Sequence, residues 1–415
     1  MYKKLPNKNQ AANWEYLPNI NTIVKYLYRG DLMELSLCCK RYRNQLEHRV
    51  LEKLDLNVWK YNNWNTYNKL KETGKVARVL KFLKSDLDNK HKFIKKVTLE
   101  SDIQVPFAKE LNILLPNIKT LILHGDYFDN SVGLGLITIL KGLKNLEIVK
   151  LNRVWGPIID FNTKRKTFPI SIKSLVICDF PEYKFDDGIL TIYDSIDHYF
   201  TNLYSLTIAT NRVLQNLSYG MPNLREVELK DVYILKGSNI VAFLKANPQL
   251  EKLTTNFMNY NEEILKTILS IKNLKYWNIC YGSWEEIKAY SLPSNYSINY
   301  LKLHDSIPAA LTYKFTNACK TLETLDLGHY KLHEFNWSTF DRRIPILKIS
   351  YNIFKRKNIN RKAIKSIDDS RKFNSIHTER ESCVIEFIEK YGKNTLNNYK
   401  YIPSNTQSYI FKLIN

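Results

Sequence analysis

The stretch Ile94-Lys-Lys-Val97-Thr-Leu99 sets a phrase that the chain repeats ten more times, from Ile118, Leu146, Ile172, Leu203, Leu224, Leu250, Leu274, Ile298, Leu322 and Ile344. Each copy places an aliphatic residue, two variable positions, a second aliphatic, one variable position and a third aliphatic. Two copies bend the rule, since Leu250…Leu253 ends on Thr255 and Leu274…Ile279 carries Trp277 in the middle. Successive copies start 21 to 31 residues apart. The last two apolar positions are separated by one residue, so in an extended strand both point to the same side. Between copies the apolar spacing turns helical, as in Leu136, Ile139, Leu140, Leu143 and again in Ile264, Leu265, Ile268, Leu269.

A strand and a helix repeated at this interval fall in the leucine-rich range of about 20–29 residues. The expected fold is therefore α/β. It is a leucine-rich-repeat solenoid over residues 94–349, with a curved parallel sheet on the concave face and helices on the convex face. Each repeat contacts only its neighbours, so one domain absorbs most of a 415-residue chain. The residues flanking the buried aliphatics line the concave face in three columns. Six lysines and four acids leave them nearly neutral, and a groove that tracks phosphates needs a far larger excess. Nucleic acid is not expected there, although the whole chain carries +21. The C-terminal half of the columns gathers Lys252, Asn256, Tyr276, Asn278, Tyr300, Lys302 and His304. Tyrosine offers large contact area at low ordering cost, so these seven are the expected surface for a protein substrate.

Outside the repeats, residues 1–13 read as a polar arm. Ile20, Ile23, Val24 and Leu27 then form one helical stripe. Asp31 is placed to start a second helix, with Glu34 completing a capping box and Leu32, Leu35, Cys39, Tyr42 and Leu46 as its stripe. So short a segment does not bury both stripes by itself. The Leu17-Pro18 opening, the Tyr26-Leu27 end of the first helix and the run Asp31-Leu32…Leu35-Ser36-Leu37-Cys38-Cys39-Lys40-Arg41-Tyr42 together resemble an F-box, over roughly Trp14 to Leu54. The resemblance implies a small all-α domain at 14–54 that binds a Skp-type adaptor, and through it a cullin, in an SCF-type ubiquitin ligase. It assigns Leu17, Pro18, Ile23, Val24, Leu27, Leu32, Leu35, Cys39 and Tyr42 to the adaptor contact. The alternative is an ordinary helical cap on the first repeat.

Residues 55–93, with Trp59, Trp64 and the pattern Val76, Val79, Leu80, Leu83, read as a helical linker and N-terminal cap. The long gap after Ile172 holds Asp179, Glu182, Asp186, Asp187, Asp194 and Asp197, either a substrate contact or a solvated loop. Past Ile349 the phrase is lost. The segment 351–372 is strongly basic and reads as a solvated loop, a nuclear-import signal or a patch for an acidic partner. Thr378…Glu381 resembles a capping box, leading into a C-terminal cap helix along Val384, Phe387, Ile388 and Tyr391.

Catalytic spacing is missing. No Walker-type glycine loop, His-Glu-x-x-His or Gly-x-Ser-x-Gly occurs. Gly133-Leu-Gly135 reads as turn chemistry. The six cysteines are scattered without a Cys-x-x-Cys pair, and no signal peptide or membrane span is apparent. The concave columns hold no arginine to aim at a phosphate. The sequence thus predicts a cytoplasmic or nuclear protein without a cofactor or catalysis of its own. Its expected role is substrate recognition for an SCF-type ligase, and the rival is a repeat scaffold with no ligase attached.

Overall fold

The computed structural model describes residues 24–67, 76–100, 103–125, 133–154, 167–178, 191–230, 235–283, 291–328, 335–350, 359–379, 396–402 and 408–414, with 22, 332 and 384. One sheet of fifteen strands runs through them in the order β1 to β13, then β15 and β14. The strands are β1 (Lys53–Asp55), β2 (Lys96–Glu100), β3 (Thr120–His124), β4 (Ile148–Asn152), β5 (Ser174–Cys178), β6 (Ser205–Ile208), β7 (Glu226–Lys230) and β8 (Lys252–Asn259). They continue as β9 (Tyr276–Ser283), β10 (Tyr300–Leu303), β11 (Thr324–Asp326), β12 (Ile344–Ile349), β13 (Phe373–Glu379), β14 (Tyr399–Ile402) and β15 (Ser408–Leu413). Neighbours from β1 to β13 are parallel, in register phrase by phrase: Val97 faces Leu121, which faces Val149. The protein is a leucine-rich-repeat solenoid. The second and third phrase positions are sealed, with Val97, Leu121, Leu123, Val149, Leu151, Leu175, Leu301 and Leu325 at 0% exposure. Such a row of buried aliphatics is the continuous core that a repeat cannot build alone.

The sheet passes both ends of the region marked by the phrase. Leu51-Glu-Lys-Leu54-Asp-Leu56 is a further copy, and its strand β1 aligns Leu54 with Val97. The expected linker 55–93 is accordingly the helical part of a first repeat. Helix α3 (Leu56–Asn62) and helix α4 (Val76–Leu87) return the chain to β2, burying Trp59, Val79, Leu80 and Leu83. Trp59 Nε1 donates to Asp86 Oδ2 at 2.7 Å, while Trp64 stays exposed. At the other end Phe373-x-x-Ile376-x-Thr378 pairs with Ile344, Leu347 and Ile349. Thr378 therefore sits in a strand and does not cap a helix. Of the expected cap helix only Val384 is described, helical and buried. The described part of the basic segment is also not a loop: it forms helix α7 (Ile359–Ser370), which buries Ala363, Ile364 and Ile367. The antiparallel pair β15 and β14 then covers the last parallel strand.

Polar side chains tie one repeat to the next. In four repeats the residue before the phrase donates to the carbonyl two positions before the phrase in the preceding repeat. Asn202 Nδ2 reaches Ile170 O at 3.2 Å, Asn223 Nδ2 reaches Thr201 O at 2.8 Å, and Asn273 Nδ2 reaches Pro248 O at 3.1 Å. Ser171 Oγ makes the same bond to Lys144 O at 2.8 Å. The residue after the first aliphatic builds a charged rim, Lys119–Glu147–Lys173 and Arg225–Glu251–Lys275. The flanking lysines hold the Glu147 and Glu251 carboxyls below the usual range. Part of the positive charge thus lies on this edge, off the concave floor.

Close approach, and not a turn, explains Gly135. It lies in helix α6 (Leu134–Gly142), after α5 (Val105–Leu114), and a β-carbon there would collide with the Ile103 carbonyl of the preceding repeat. Of the acidic gap, Asp194 and Asp197 are described. Asp194 accepts from the Thr191 amide at 2.7 Å and the Thr210 hydroxyl at 2.9 Å, so it braces the turn. Asp179, Glu182, Asp186 and Asp187 lie outside the described residues. No described helix is long and apolar enough to cross a membrane.

Candidate functional site

Two surfaces carry the expected site residues. At the N-terminus, helix α1 (Arg29–Cys38) and helix α2 (Lys40–Val50) meet at Cys39, whose extended backbone breaks the single stripe read from sequence. Asp31 is not the cap residue. It lies inside the first turn, where its carboxylate accepts from the Tyr28 amide at 2.8 Å. Cys39 Sγ accepts from the Tyr42 amide at 3.4 Å and starts the second helix. Leu32, Tyr42 and Leu46 are buried against one another, with Val24, Leu27, Leu35 and Cys39 half-buried around them. Leu32 and Tyr42 thus hold the helical pair together. Leu17, Pro18 and Ile23 lie outside the described residues.

Among the charged and polar side chains that this pair exposes, four large apolar ones also stay outside. Tyr26 is 81% exposed, Tyr28 75%, Met33 47% and Leu37 72%. Met33 and Leu37 are four residues apart in one helix and share a face. Periodicity favoured the stripe through Leu32 and Leu35 because it is the longer, and it is the one the chain fills for itself. Arg29 fastens the pair to the solenoid, its guanidinium donating to Val50 O at 3.3 Å and Lys53 O at 3.2 Å.

On the concave face, Lys252, Tyr276 and Tyr300 are successive register partners, as are Asn278 and Lys302. The Tyr276 and Tyr300 rings stack with centroids 4.8 Å apart at 24°. Tyr300 Oη donates to Asp326 Oδ2 at 2.7 Å and accepts from Lys348 Nζ at 3.4 Å. Burial, then the Asp326 bond and charge, push the Tyr300 phenol up, and burial first does the same to Tyr276. Lys252 Nζ stands 5.5 Å from the Tyr276 ring centre and 3.4 Å from Glu226 Oε2. The aromatic pair is thus braced at both ends, with its side chains already ordered before any partner arrives.

Beside this row a concavity of about 590 Å³ is lined by Asn278, Lys302 and His304, with Asp326, Lys348 and His377. Three of the seven expected residues are thereby brought together there, while Lys252, Tyr276 and Tyr300 form the adjoining row. Asn256 departs from its column: a bulge between β8 and β9 sets it opposite Tyr281, so Cys280 falls out of line. His377, on β13, was missed, and its signal is the Phe373…Ile376…Thr378 copy. Burial, then Lys348 and Lys412, lower its pKa, so it is neutral at physiological pH. Burial, with Glu228 second, raises the Cys280 thiol and leaves it protonated and a poor nucleophile. Among the described residues no three His, Cys, Asp or Glu side chains converge as a metal set. The arrangement offers aromatic area, ammonium groups and hydrogen-bond partners, which is equipment for binding.

No protein-family model matches the chain. No curated protein matches it either. Among solved structures it is similar to the leucine-rich repeat-containing protein LegL7 from Legionella pneumophila, with 13% identity over 73% of this chain and 92% of that one, at a TM-score of 0.39. It is also similar to a chain of the Rad7 and Elc1 complex in yeast, with 15% identity over 85% of each chain and a TM-score of 0.34.

Proposed function

We propose that this protein recognises substrates for an SCF-type cullin–RING ubiquitin ligase in the cytoplasm or nucleus. Its N-terminal helices take a Skp-type adaptor and its concave C-terminal half takes the protein substrate. The observation that carries the reading is the apolar Met33–Leu37 face, left uncovered by a helical pair that buries only three side chains of its own. The chain does no chemistry and needs no cofactor; it holds a bound protein where a partner enzyme acts. The second reading, a repeat scaffold without a ligase, is favoured by the Arg29 bond to β1, which suits a plain cap.

A pull-down with purified Skp-type adaptor separates the two. The wild-type chain is expected to capture it, and Met33→Asp with Leu37→Asp to lose capture. Two carboxylates forced into an apolar contact cost several kcal/mol, or orders of magnitude in Kd. Melting of the free protein stays put, because both side chains are exposed. Leu32→Asp is the wrong probe, since it breaks the internal seam. A wild-type chain that captures no adaptor leaves the scaffold reading standing.

Substrate binding has its own check. Tyr276→Ala with Tyr300→Ala removes the stacked pair while leaving the aliphatic phrase intact. Buried aromatic anchors of this kind are worth about 2 kcal/mol or more at an interface. Crosslinking of co-purifying proteins is expected to lose partners in the double variant. An identical partner set would place the substrate elsewhere.

A further inference from the structure

The strand β1, unseen in the phrase count, changes the character of the N-terminal end of the concave face. It sets Lys53 directly opposite Lys96 of β2. Like charges facing each other across neighbouring strands are destabilising. Lys150 stands two strands further on, flanked in its column by Ile122 and Val176. Ile148 follows Thr120 in the column of Lys96. The three aliphatics are half-buried, so part of each is open on the concave side.

Neutralisation is not supplied locally. Among the described residues none of the three ammonium groups has a hydrogen bond or ion pair, while Glu100 is taken by Lys60 at 2.7 Å. Asp55 is taken by the amides of Asn57 and Val58, which it caps at 3.0 and 3.1 Å. Burial, then the charges of Lys53 and Lys150, lower the pKa of Lys96; Glu52 opposes them weakly. The field at Lys96 is therefore positive.

We infer that the concave floor across β1 to β5 is a second docking surface, for an acidic segment of a protein partner that alternates carboxylates with aliphatic side chains. Carboxylates would meet Lys53, Lys96 and Lys150, and aliphatic groups would cover Ile122, Ile148 and Val176. Four strand spacings give roughly 19 Å, the span of about six extended residues. Nucleic acid suits the floor less well. The first two columns from β1 to β5 contain no aromatic side chain to stack a base and no arginine. The site differs from the tyrosine row in both place and chemistry, and it stands whether or not the N-terminal helices bind an adaptor.

The test is fluorescence anisotropy on the full chain with three labelled probes. They are a short peptide alternating Glu or Asp with Leu or Ile, its Gln and Asn counterpart, and a thymidine oligonucleotide of equal charge. The acidic peptide is expected to bind at least ~tenfold more tightly than the other two. Lys96→Glu with Lys150→Glu is expected to weaken it by about tenfold or more, and Ile148→Gln to weaken it as well. Lys96→Gln, which keeps the fold and removes the cross-strand repulsion, should raise the melting temperature of the free protein. Equal or tighter binding of the oligonucleotide, unchanged peptide affinity in the charge reversal, or a lowered melting temperature in Lys96→Gln would each overturn the inference.

Discussion

Trp277→Ala is expected to lower the unfolding free energy by about 3–5 kcal/mol, a cavity cost for a fully enclosed indole. Trp277 is at 0% exposure in the second phrase position of β9, where other repeats carry an aliphatic side chain. Its ring meets Phe315 edge-on, 5.4 Å between centroids. Its Nε1 donates to Thr255 Oγ1 at 3.3 Å, and the Tyr260 hydroxyl donates to the same oxygen at 2.6 Å. The indole thus explains why the phrase one repeat earlier ends on threonine: a buried N–H needs an acceptor, and an aliphatic residue has none. The alanine variant empties volume and strips a partner from a buried polar cluster. Tyr276 precedes Trp277 in the same strand, so the tyrosine row loosens with it. Urea unfolding followed by circular dichroism measures the loss, and Trp277→Phe is expected to recover most of the packing. A shift below roughly 1 kcal/mol would mean that the core is not built around this ring.

Asp368→Ala is expected to cost about 3 kcal/mol, for a different reason. Asp368, on α7, is 1% exposed. Its carboxylate accepts from the amides of Asn397 and Asn398 at 3.1 and 2.8 Å and from the Asn398 side chain at 3.1 Å. Hydrogen bonds to a charged acceptor are worth about 1.5–3 kcal/mol each, and the stranded amides add their desolvation. The bonded residues open β14, so the loss is expected to be local. Hydrogen exchange should rise across Tyr399–Ile402 and Ser408–Leu413 while β2 to β12 stay protected. Uniform loss of protection would show that the end hairpin and the repeats unfold as one unit.

The strands from Lys96 to Ile349 were legible because each repeat carries at least two of the three aliphatics at the expected interval. The two end strands were not. Leu51…Leu54…Leu56 stands 43 residues before Ile94, beyond the usual interval, since several helical segments lie in the gap. Phe373…Ile376…Thr378 opens on an aromatic residue and ends on threonine, so one aliphatic of three was left to mark the copy. Within the site, the column of tyrosines followed from parity along a strand. The bulge beside Asn256 did not, because a register slip leaves no mark on apolar spacing. At the N-terminus, periodicity identified which side chains share a helix face. It does not say whether a face is covered by the same chain or by another, and Leu32 and Met33 fall on opposite sides of that question.

The ladder of Asn202, Asn223 and Asn273 has a polarity. Each donor sits in the later repeat and each acceptor carbonyl in the earlier one. A chain emerging from the ribosome presents the acceptor first, and domains form N-terminal end first during synthesis. At these three rungs each newly made repeat meets an acceptor already in place, whereas Asn112 Nδ2 has to wait for Thr138 O of the repeat after it.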